Sequence, residues 1–326
     1  MFKSRIIGTG SSLPEKVVLN KDFEAIVDTS DAWIFERTGI RERRMASDGE
    51  TSSTFAYRAA LNALEMAGIA AGQLDMIIVG TVTPDMPMPS VACQIQKRLK
   101  ASRAPAFDVS AGCTGFLYAL SVADAFIKAG THKKILVIGA ETFSRFTDYQ
   151  DRTTCVLFGD GAGAVVLAAE QGERGILSTH LHADGAYTGS LLIPGGGSLH
   201  PASYDSIEKR LHFLKMDGHK VFKVAVKYLE EAALSALKEN NFTGDDIDLL
   251  ISHQANVRII NAIAKRLKLP QEKVFLNIEK YGNTSSASVP IALDEANRQH
   301  RLKKNDLLLL EAFGAGFTWG SALIRW

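Results

Sequence analysis

Cys113 is the residue of this sequence best placed to act as a nucleophile. It follows the strand-like residues 107–109 and begins the run CTGFLYALSVADAFIKAG, whose apolar residues recur at helical spacing. A thiol at a helix N-terminus faces free N–H groups and the positive end of the helix dipole, and both favour the reactive thiolate. Gly112 and Gly115 let other groups approach closely. The sequence therefore predicts a reactive cysteine, although a lone cysteine is more often a buried structural residue.

His253 and Asn283 are the polar residues that we expect to work with this thiol. His253 follows the apolar run DLLIS and opens a loop leading into a helix, where α/β proteins place ligand-binding groups. A histidine at such a position can also cap a helix or lie on the surface. Asn283 follows a glycine in YGNTSSASVP, which alone marks only a turn. We interpret it as functional because its place in the second half of the chain matches that of Cys113 in the first.

The other two cysteines are interpreted as structural. Cys93 lies within an apolar helix-like run and Cys155 within an apolar strand-like run, and both are expected to be buried. Three scattered cysteines make neither a disulfide framework nor a zinc site. They indicate reduced thiols in a cytoplasmic protein, with no metal.

The elements that must position these residues occur twice. Residues 74–99 contain an acidic residue, an apolar strand, a polar loop and a helix ending in KRL, and residues 247–267 repeat that order. Alternating strands and helices predict an α/β protein. We expect two pseudo-symmetric halves in five αβαβα layers. Residues 1–173 would carry the cysteine, and residues 174–326 the histidine and the asparagine.

The composition fits a globular protein and argues against two classes of partner. The chain has 326 residues, of which 46% are hydrophobic and 22% charged, and its formal net charge is +1. That balance gives no overall attraction to nucleic acid or to a membrane. No apolar stretch reaches the ~18 residues expected of a transmembrane helix. The N-terminal residues lack the apolar core of a signal peptide.

Several glycine-rich or basic stretches are expected at turns or on the surface. The C-terminal EAFGAGFTWG follows an apolar strand, and its backbone N–H groups would form an oxyanion hole if they point inward. FGDGAGA, residues 158–164, lacks the spacing of a nucleotide-binding loop and is interpreted as a turn between strands. Residues 194–198 are expected in a surface loop and residues 41–44 on a solvated basic face.

Together these stretches resemble the β-ketoacyl-acyl-carrier-protein synthase III family, the initiating condensing enzymes of bacterial fatty-acid synthesis. The matching segments are WIFERTGIRERR, SAGCTGF, FGDGAGA, HQANVRII, YGNTSSASVPIAL and AFGAGFTWGSALIRW, which span residues 33–326. The resemblance implies a thiolase-like fold, a homodimer, and acyl-CoA and malonyl-acyl-carrier protein as partners, with no cofactor. A starter enzyme of a polyketide or other secondary-metabolite pathway is the related alternative.

The resemblance also implies a triad of Cys113, His253 and Asn283. Cys113 would take an acyl group from CoA, and the other two would stabilise the enolate formed when malonyl-acyl-carrier protein loses CO2. The backbone N–H groups of Cys113 and Ala315 would form the oxyanion hole. Ala315 replaces a glycine that is common in the family, and its methyl group is expected to crowd the site. The loop at residues 193–214, longer than in the shortest members, is expected to reshape the entrance.

The same resemblance assigns residues to CoA. Trp33 and Arg152 would flank the adenine, Arg37 would lie near the phosphates, and Gly218 and Asn256 would lie along the pantetheine.

Carrier-protein and acyl-pocket contacts are also implied. The carrier protein, acidic in this family, would be steered by Arg258 with Lys265 and Arg266. Met88 would close the acyl pocket across a homodimer interface, unless it packs within its own subunit. The full carrier-protein contact is implied to be Gln254, Ala255, Asn256, Val257 and Arg258.

Other classes fit only part of the pattern. A papain-type hydrolase shares the order Cys–His–Asn, but its C-G-[SA]-C-[WY] context is absent. A non-catalytic acyl-binding subunit typically lacks the nucleophile. Within the fold, a thiolase would use a second cysteine and an elongating synthase a second histidine where Asn283 stands. Plant-type polyketide synthases keep the same triad, usually in longer chains, and hydroxymethylglutaryl-CoA synthases are a further thiolase-fold alternative.

Overall fold

The computed structural model describes residues 2–326. Its strands are β1 (Lys3–Ser12), β2 (Val17–Leu19), β3 (Glu42–Arg44), β4 (Met76–Gly80), β5 (Ala106–Val109), β6 (Lys134–Thr142), β7 (Asp160–Glu170), β8 (Gly175–Ala183), β9 (Leu191–Leu192), β10 (Lys215–Met216), β11 (Leu249–Ser252), β12 (Leu307–Gly314) and β13 (Thr318–Arg325). Its helices are α1 (Asn20–Phe23), α2 (Asp31–Thr38), α3 (Ser52–Ala67), α4 (Val91–Leu99), α5 (Gly115–Lys128), α6 (Tyr204–Glu208), α7 (Gly218–Glu239), α8 (Val257–Arg266), α9 (Ile278–Tyr281) and α10 (Ser288–Arg298).

Two large sheets share one plan. The first has the strand order β1-β7-β6-β4-β5, and the second has the order β8-β13-β12-β11. Each sheet contains a parallel pair, β4 with β6 and β11 with β12, and the next pair is antiparallel. Strands β4 and β11 are covered on both faces, which explains their continuous apolar sequences.

Helices on both sides of each sheet make five layers. Helices α5 and α10 lie between the sheets, where Phe116 and Leu293 pack with Ile78 of the first sheet and Leu310 of the second. Helices α3 and α4 cover the outer face of the first sheet. Helices α7 and α8 cover the outer face of the second. The predicted αβαβα arrangement is confirmed.

The predicted duplication extends to local geometry. Lys100 after α4 and Lys268 after α8 both adopt a left-handed backbone with φ of 57°. Asp75 accepts hydrogen bonds from the backbone N–H groups of Lys133 and Lys134, while Asp248 accepts one from that of Leu307 at the matching strand. The chain passes from the first sheet to the second between β7 and β8. The division at residues 173 and 174 stays a prediction.

The structure corrects the expectation that FGDGAGA forms a turn. Residues 160–164 are the first half of β7. A Cβ added to Gly163 would lie 2.5 Å from the backbone nitrogen of Ile291. The glycine is therefore needed because α10 packs directly on the strand.

Three further expectations about single residues are wrong. Arg43 is fully buried, because the carbonyls of Val18 and Val156 accept its hydrogen bonds and its guanidinium lies 4.6 Å from the ring centroid of Phe23. Cys93 is exposed on the solvent side of α4. Cys155 is buried as expected, but in a turn and not a strand. Within residues 2–326, no helix is long and apolar enough to cross a membrane.

Candidate active site

One cavity of about 870 Å³ brings together the residues predicted to act in chemistry. Cys113, His253, Asn283 and Ala315 all line it. Three of them follow the C-terminal ends of β5, β11 and β12, the edge where open α/β sheets bind ligands. Two halves that each place a loop at this edge thus build one site between them.

Cys113 lies in a tight turn in front of the central helix α5. The turn, Gly112–Thr114, starts with Gly112 at φ of +55°. A Cβ on Gly112 would approach the backbone nitrogen of Ala315 to 2.8 Å, so a side chain is excluded for both reasons. The turn holds the thiol at the cavity wall with only 9% of the residue exposed.

Burial decides the protonation state of this thiol. It raises the pKa of Cys113 to about 12, and the negative charge of Glu141 acts in the same direction. The hydroxyl of Ser285 and the backbone N–H of Cys113 lower that pKa, but by less. The expectation that the helix start favours the thiolate is therefore outweighed, and the thiol is protonated at neutral pH.

His253 is held by the sheet and kept neutral. Its backbone N–H donates to the carbonyl of Glu311 at 2.8 Å, which continues the pairing of β11 with β12 by one residue. Burial lowers the pKa of the imidazole to about 3. Its Nδ1 atom is enclosed and makes no hydrogen bond with residues 2–326, so Nε2 is the nitrogen left for a ligand. A neutral ring of this kind can donate one hydrogen bond but carries no charge.

Asn283 is fixed with its amino group free. Its backbone bonds to the loop before β7 through Leu157 and Gly159, at 2.9 and 3.0 Å. Its Oδ1 atom accepts a hydrogen bond from the backbone N–H of Ser285 at 2.8 Å. Because that N–H can only donate, the amide must turn its Nδ2 group the other way. Asn283 therefore offers a donor at the cavity wall.

Asn283 and Cys113 are not at equivalent positions of the repeat, contrary to our expectation. The turn residue matching Gly112 is Ser285, with φ of +51° at the start of the turn Ser285–Ala287. Cys113 therefore follows the first residue of its turn, whereas Asn283 lies two residues before the first residue of its own. The two side chains reach one cavity from different points of similar loops.

Backbone groups of the C-terminal loop meet the turn of Cys113. A Cβ placed on Gly314 would lie 2.6 Å from the backbone nitrogen of Cys113. This close approach puts the N–H groups of Cys113 and Ala315 on neighbouring segments of the cavity wall. The methyl group of Ala315 packs towards Gly112, since a Cβ there would lie 3.2 Å from it.

Aromatic and basic side chains form the mouth of the cavity. The guanidinium carbons of Arg152 and Arg37 lie 4.6 and 4.9 Å from the ring centroid of Trp33. Asn256 caps helix α8 and donates from its side chain to the carbonyl of Arg37 at 2.9 Å. Gly218 begins α7 at the cavity wall, and an added Cβ would meet no atom closer than 3.6 Å. The five residues assigned to CoA thus lie around one entrance.

Only part of the predicted carrier-protein segment is accessible. Arg258 is exposed on α8, with its guanidinium 5.6 Å from the ring centroid of Phe222. Ala255, Asn256 and Val257 are half-buried. Gln254 is 1% exposed and bonds internally, donating to the carbonyls of Ser252 and Phe275. The assignment of Gln254 is corrected: its side chain holds the loop in place and cannot touch a partner.

Met88 does not line the cavity of its own chain. It is 79% exposed, at the tip of the loop after β4. The alternative that Met88 packs within its own subunit is thereby excluded.

Glu141 and Ser285 were missed by the sequence analysis. Glu141 is fully buried near the end of β6, and Ser285 lines the cavity. An acidic residue in an otherwise apolar strand was the available signal for Glu141. The loop at residues 193–214 is closed at its base by pairing of β9 with β10, and Leu191 and Leu214 line the cavity.

Comparisons with known proteins show which family the chain belongs to. Residues 107–185 match the family model "3-Oxoacyl-[acyl-carrier-protein (ACP)] synthase III", and residues 237–326 match the model of its C-terminal part. A β-ketoacyl-[acyl-carrier-protein] synthase III of Xanthomonas euvesicatoria is 55% identical over 323 residues, covering 99% of this chain and 98% of the relative. The chain belongs to the β-ketoacyl-[acyl-carrier-protein] synthase III family.

Solved structures of synthase III proteins share its fold. The enzyme from Aquifex aeolicus has 48% sequence identity and a TM-score of 0.92, over 99% of this chain and 100% of that one. A priming β-ketosynthase from the R1128 polyketide pathway matches with 36% identity and the same TM-score of 0.92, over 99% and 96% of the two chains. The thiolase-like fold predicted from the sequence is confirmed. The protein is a synthase III, a condensing enzyme that initiates fatty-acid synthesis.

Proposed function

We propose that Cys113, His253 and Asn283 divide the condensation of an acyl-CoA primer with malonyl-acyl-carrier protein between them. The observation that carries this division is the anchoring of Asn283, whose Oδ1 is bound by Ser285 so that its amino group faces the cavity. A neutral His253 and this amide are two donors opposite one thiol. The arrangement suits an enolate that accepts hydrogen bonds and a nucleophile that forms a thioester.

In the first half-reaction, the sulfur of Cys113 attacks the thioester carbonyl of the acyl-CoA. The carbonyl oxygen gains negative charge, which the backbone N–H groups of Cys113 and Ala315 stabilise. The C–S bond to CoA then breaks, and CoA leaves with the proton that the thiol gave up. Cys113 keeps the acyl group as a new thioester.

In the second half-reaction, the malonyl group loses CO2 and its electron pair moves into the thioester as an enolate. His253 and Asn283 each donate one hydrogen bond to the enolate oxygen. The enolate carbon attacks the acyl group on Cys113, and the Cys113 C–S bond breaks to release the 3-oxoacyl product. The thiolate left on Cys113 takes up a proton from water, which restores the thiol. Donors that are already fixed in the cavity cost no reorganisation at this step, which makes them effective.

The aromatic and charged side chains at the entrance match the chemical groups of CoA. Trp33 and Arg152 offer two flat groups for the adenine, and Arg37 offers donors for the phosphates. Gly218 leaves the wall open where the pantetheine would pass. Because Arg152 also lies 3.3 Å from Asp28, an entering nucleotide competes with that ion pair.

The carrier protein is proposed to dock on the basic rim between α7 and α8. This rim consists of Lys223, Arg258, Lys265 and Arg266, beside a shallow groove. Arg258 lies closest to the cavity, which it helps to line. Such a rim attracts an acidic protein and orients it towards the entrance.

A homodimer would give Met88 a burial partner. An apolar side chain that is 79% exposed, with the half-exposed Met86 two residues earlier, is expected to be covered by another surface. We propose that Met88 closes the acyl pocket of the partner subunit. Since Met is flexible, this wall would yield to primers longer than acetyl.

Intact-mass measurement after incubation with a panel of acyl-CoAs tests the proposal. The expected result is one acyl adduct per chain, strongest for acetyl and measurable for butyryl. Peptide mapping should place it on Cys113. No adduct with any acyl-CoA, or an adduct elsewhere, would reject Cys113 as the nucleophile.

A further inference from the structure

Glu141 is a buried acid beside the nucleophile that the proposed mechanism does not use. Its side chain is fully buried near the end of β6. Its Oε2 atom accepts hydrogen bonds from the backbone N–H and the hydroxyl of Thr83, at 3.0 and 2.6 Å. Its Oε1 atom accepts one from the hydroxyl of Ser285 at 3.2 Å.

Ser285 connects this acid to the active site in two ways. Its backbone N–H holds the amide of Asn283 at 2.8 Å. Its hydroxyl lies at the wall of the cavity that Cys113 also lines, where the turns of the two residues pack together, and it lowers the pKa of that thiol. A hydroxyl has one proton to donate, and here two neighbours compete for it.

The competition depends on the charge of Glu141. An ionised carboxylate is a stronger acceptor than a neutral acid and draws the hydroxyl proton of Ser285 to itself. Its negative charge also opposes a thiolate on Cys113. When Glu141 is protonated, both effects are relieved, and the Ser285 hydroxyl is free to stabilise the thiolate.

We propose that Glu141 is a positioning residue that sets the reactivity of Cys113 by controlling the direction of the Ser285 hydroxyl. Glu141 touches no substrate and acts only through Ser285 and through its charge. The inference rests on the proposed role of Cys113.

Glu141 changes its charge near neutral pH. Burial raises the pKa of Glu141 to about 7, although hydrogen bonds from Thr83, Ser286, Val82 and Ser285 act against it. On the neighbouring strand β7, Asp160 is the nearby titratable group, and its carboxylate is bound by Ala46 and Ser144. The loop after β4 and the turn before α10 face Glu141 with hydroxyl and backbone groups only, and the turn before α5 adds Cys113. Glu141 and Cys113 are therefore the titrating pair of this site.

The test is the rate at which iodoacetamide alkylates Cys113 as a function of pH. It is measured in a Cys93→Ser background, because Cys93 is exposed, and the adduct is located by peptide mapping. The reaction needs no CoA. The alkylation rates therefore test this inference alone. The proposed function is tested separately, by acylation of the wild-type protein with acyl-CoA.

Glu141→Gln should react at the wild-type rate below about pH 6, where Glu141 is already neutral. Above about pH 8 it should react about tenfold faster, since removing the charge lowers the pKa of the thiol by about one unit. Ser285→Ala should show the mirror pattern, slower than wild type at low pH and nearly equal at high pH. Ser285→Gly serves as a second variant without strain at a positive φ.

Glu311→Gln is the matched control. Glu311 is equally buried, with neither carboxylate oxygen hydrogen-bonded within residues 2–326, and burial raises its pKa to about 8. It does not act on the thiol, so its variant should follow the wild-type profile. If the ratio of the alkylation rate of Glu141→Gln to that of the wild type is the same at every pH, the proposal is overturned. If Glu141→Gln does not fold, the test rests on Ser285→Ala. A change in its alkylation rate that is equally large at low and high pH would reject the inference.

Discussion

The turns in front of α5 and α10 have nearly the same backbone but present different chemistry to the cavity. Gly112 and Ser285 begin these turns with φ of +55° and +51°. In the first half, Ala315 approaches so closely that only glycine fits, and the reactive group is the following residue, Cys113. In the second half the same position is Ser285, whose backbone N–H holds Asn283 and whose hydroxyl donates to Glu141. A repeated backbone thus places a nucleophile and its polar partners opposite one another.

Burial shifts the pKa of Cys113 in the first half and of His253 in the second half in opposite directions, and both shifts favour the neutral form. It raises the pKa of Cys113 to about 12 and lowers that of His253 to about 3. Both groups are therefore neutral at pH 7. The comparison shows a site built from fixed donors in a mostly apolar cavity, where charge develops only during the reaction.

Removing the nucleophile of the first half should have the largest effect. We expect Cys113→Ser to lose acyl transfer from CoA by about 10⁴-fold or more, because a hydroxyl is a far weaker nucleophile here. Intact mass after acetyl-CoA treatment measures it. Cys93→Ser, which alters an exposed thiol, is the control and should keep full activity. An adduct that survives in Cys113→Ser, or maps to Cys93 or Cys155, would contradict the assignment.

Removing a donor of the second half should separate the two half-reactions. His253→Ala and Asn283→Ala should still take acyl groups from CoA, while decarboxylation of malonyl-acyl-carrier protein falls by about 10²–10³-fold. Release of labelled CO2 and self-acylation are measured side by side. Loss of self-acylation with decarboxylation intact would reverse the roles that we assign to the halves.

The basic rim belongs to the second half alone, and charge reversal should affect only the carrier protein. Arg258→Glu should raise KM for malonyl-acyl-carrier protein about tenfold and leave acyl-CoA loading nearly unchanged. Lys304→Glu is the matched control, since that exposed lysine precedes β12 at the opposite end of the strand from the cavity. Equal damage to both half-reactions would argue against a docking role for Arg258.

The smallest effect on activity is expected from changing Met88. This residue belongs to the first half and is proposed to close the acyl pocket of the partner subunit. Met88→Phe should lower the rate with butyryl-CoA relative to acetyl-CoA by roughly tenfold, since phenylalanine is bulkier and less flexible. Met86→Phe is the control from the same loop. An unchanged ratio of primer rates, in a variant that is folded and dimeric, would show that Met88 does not set the pocket length.

Much of this protein follows from its sequence, because periodicity and motif spacing are local properties. The repeat of strand, loop and helix predicted the five layers, since apolar runs of that length need cover on both faces. Cys113 and His253 were recognised because each follows a strand at a loop, and the motifs of all three residues, Asn283 included, match one family over nearly the whole chain. Their presence in one cavity supports the roles assigned to them, which stay predictions.

What only the tertiary structure decided depends on groups far apart in the chain. Residues 160–164 form a strand by pairing with β1 and β6, and Gly163 must be glycine because α10 packs directly on it, which no local pattern shows. Arg43 can be buried because two carbonyls distant in sequence accept its hydrogen bonds and an aromatic ring lies against its guanidinium.

The electrostatics of the site were decided in the same way. The helix start at Cys113 predicted a thiolate, but burial from both halves outweighs it. The carboxylate of Glu141 accepts a hydrogen bond from Ser285, a residue 144 positions away in sequence. Desolvation and such long-range hydrogen bonds arise when the two halves close on each other, so the sequence names the reacting groups and the packing sets their charge.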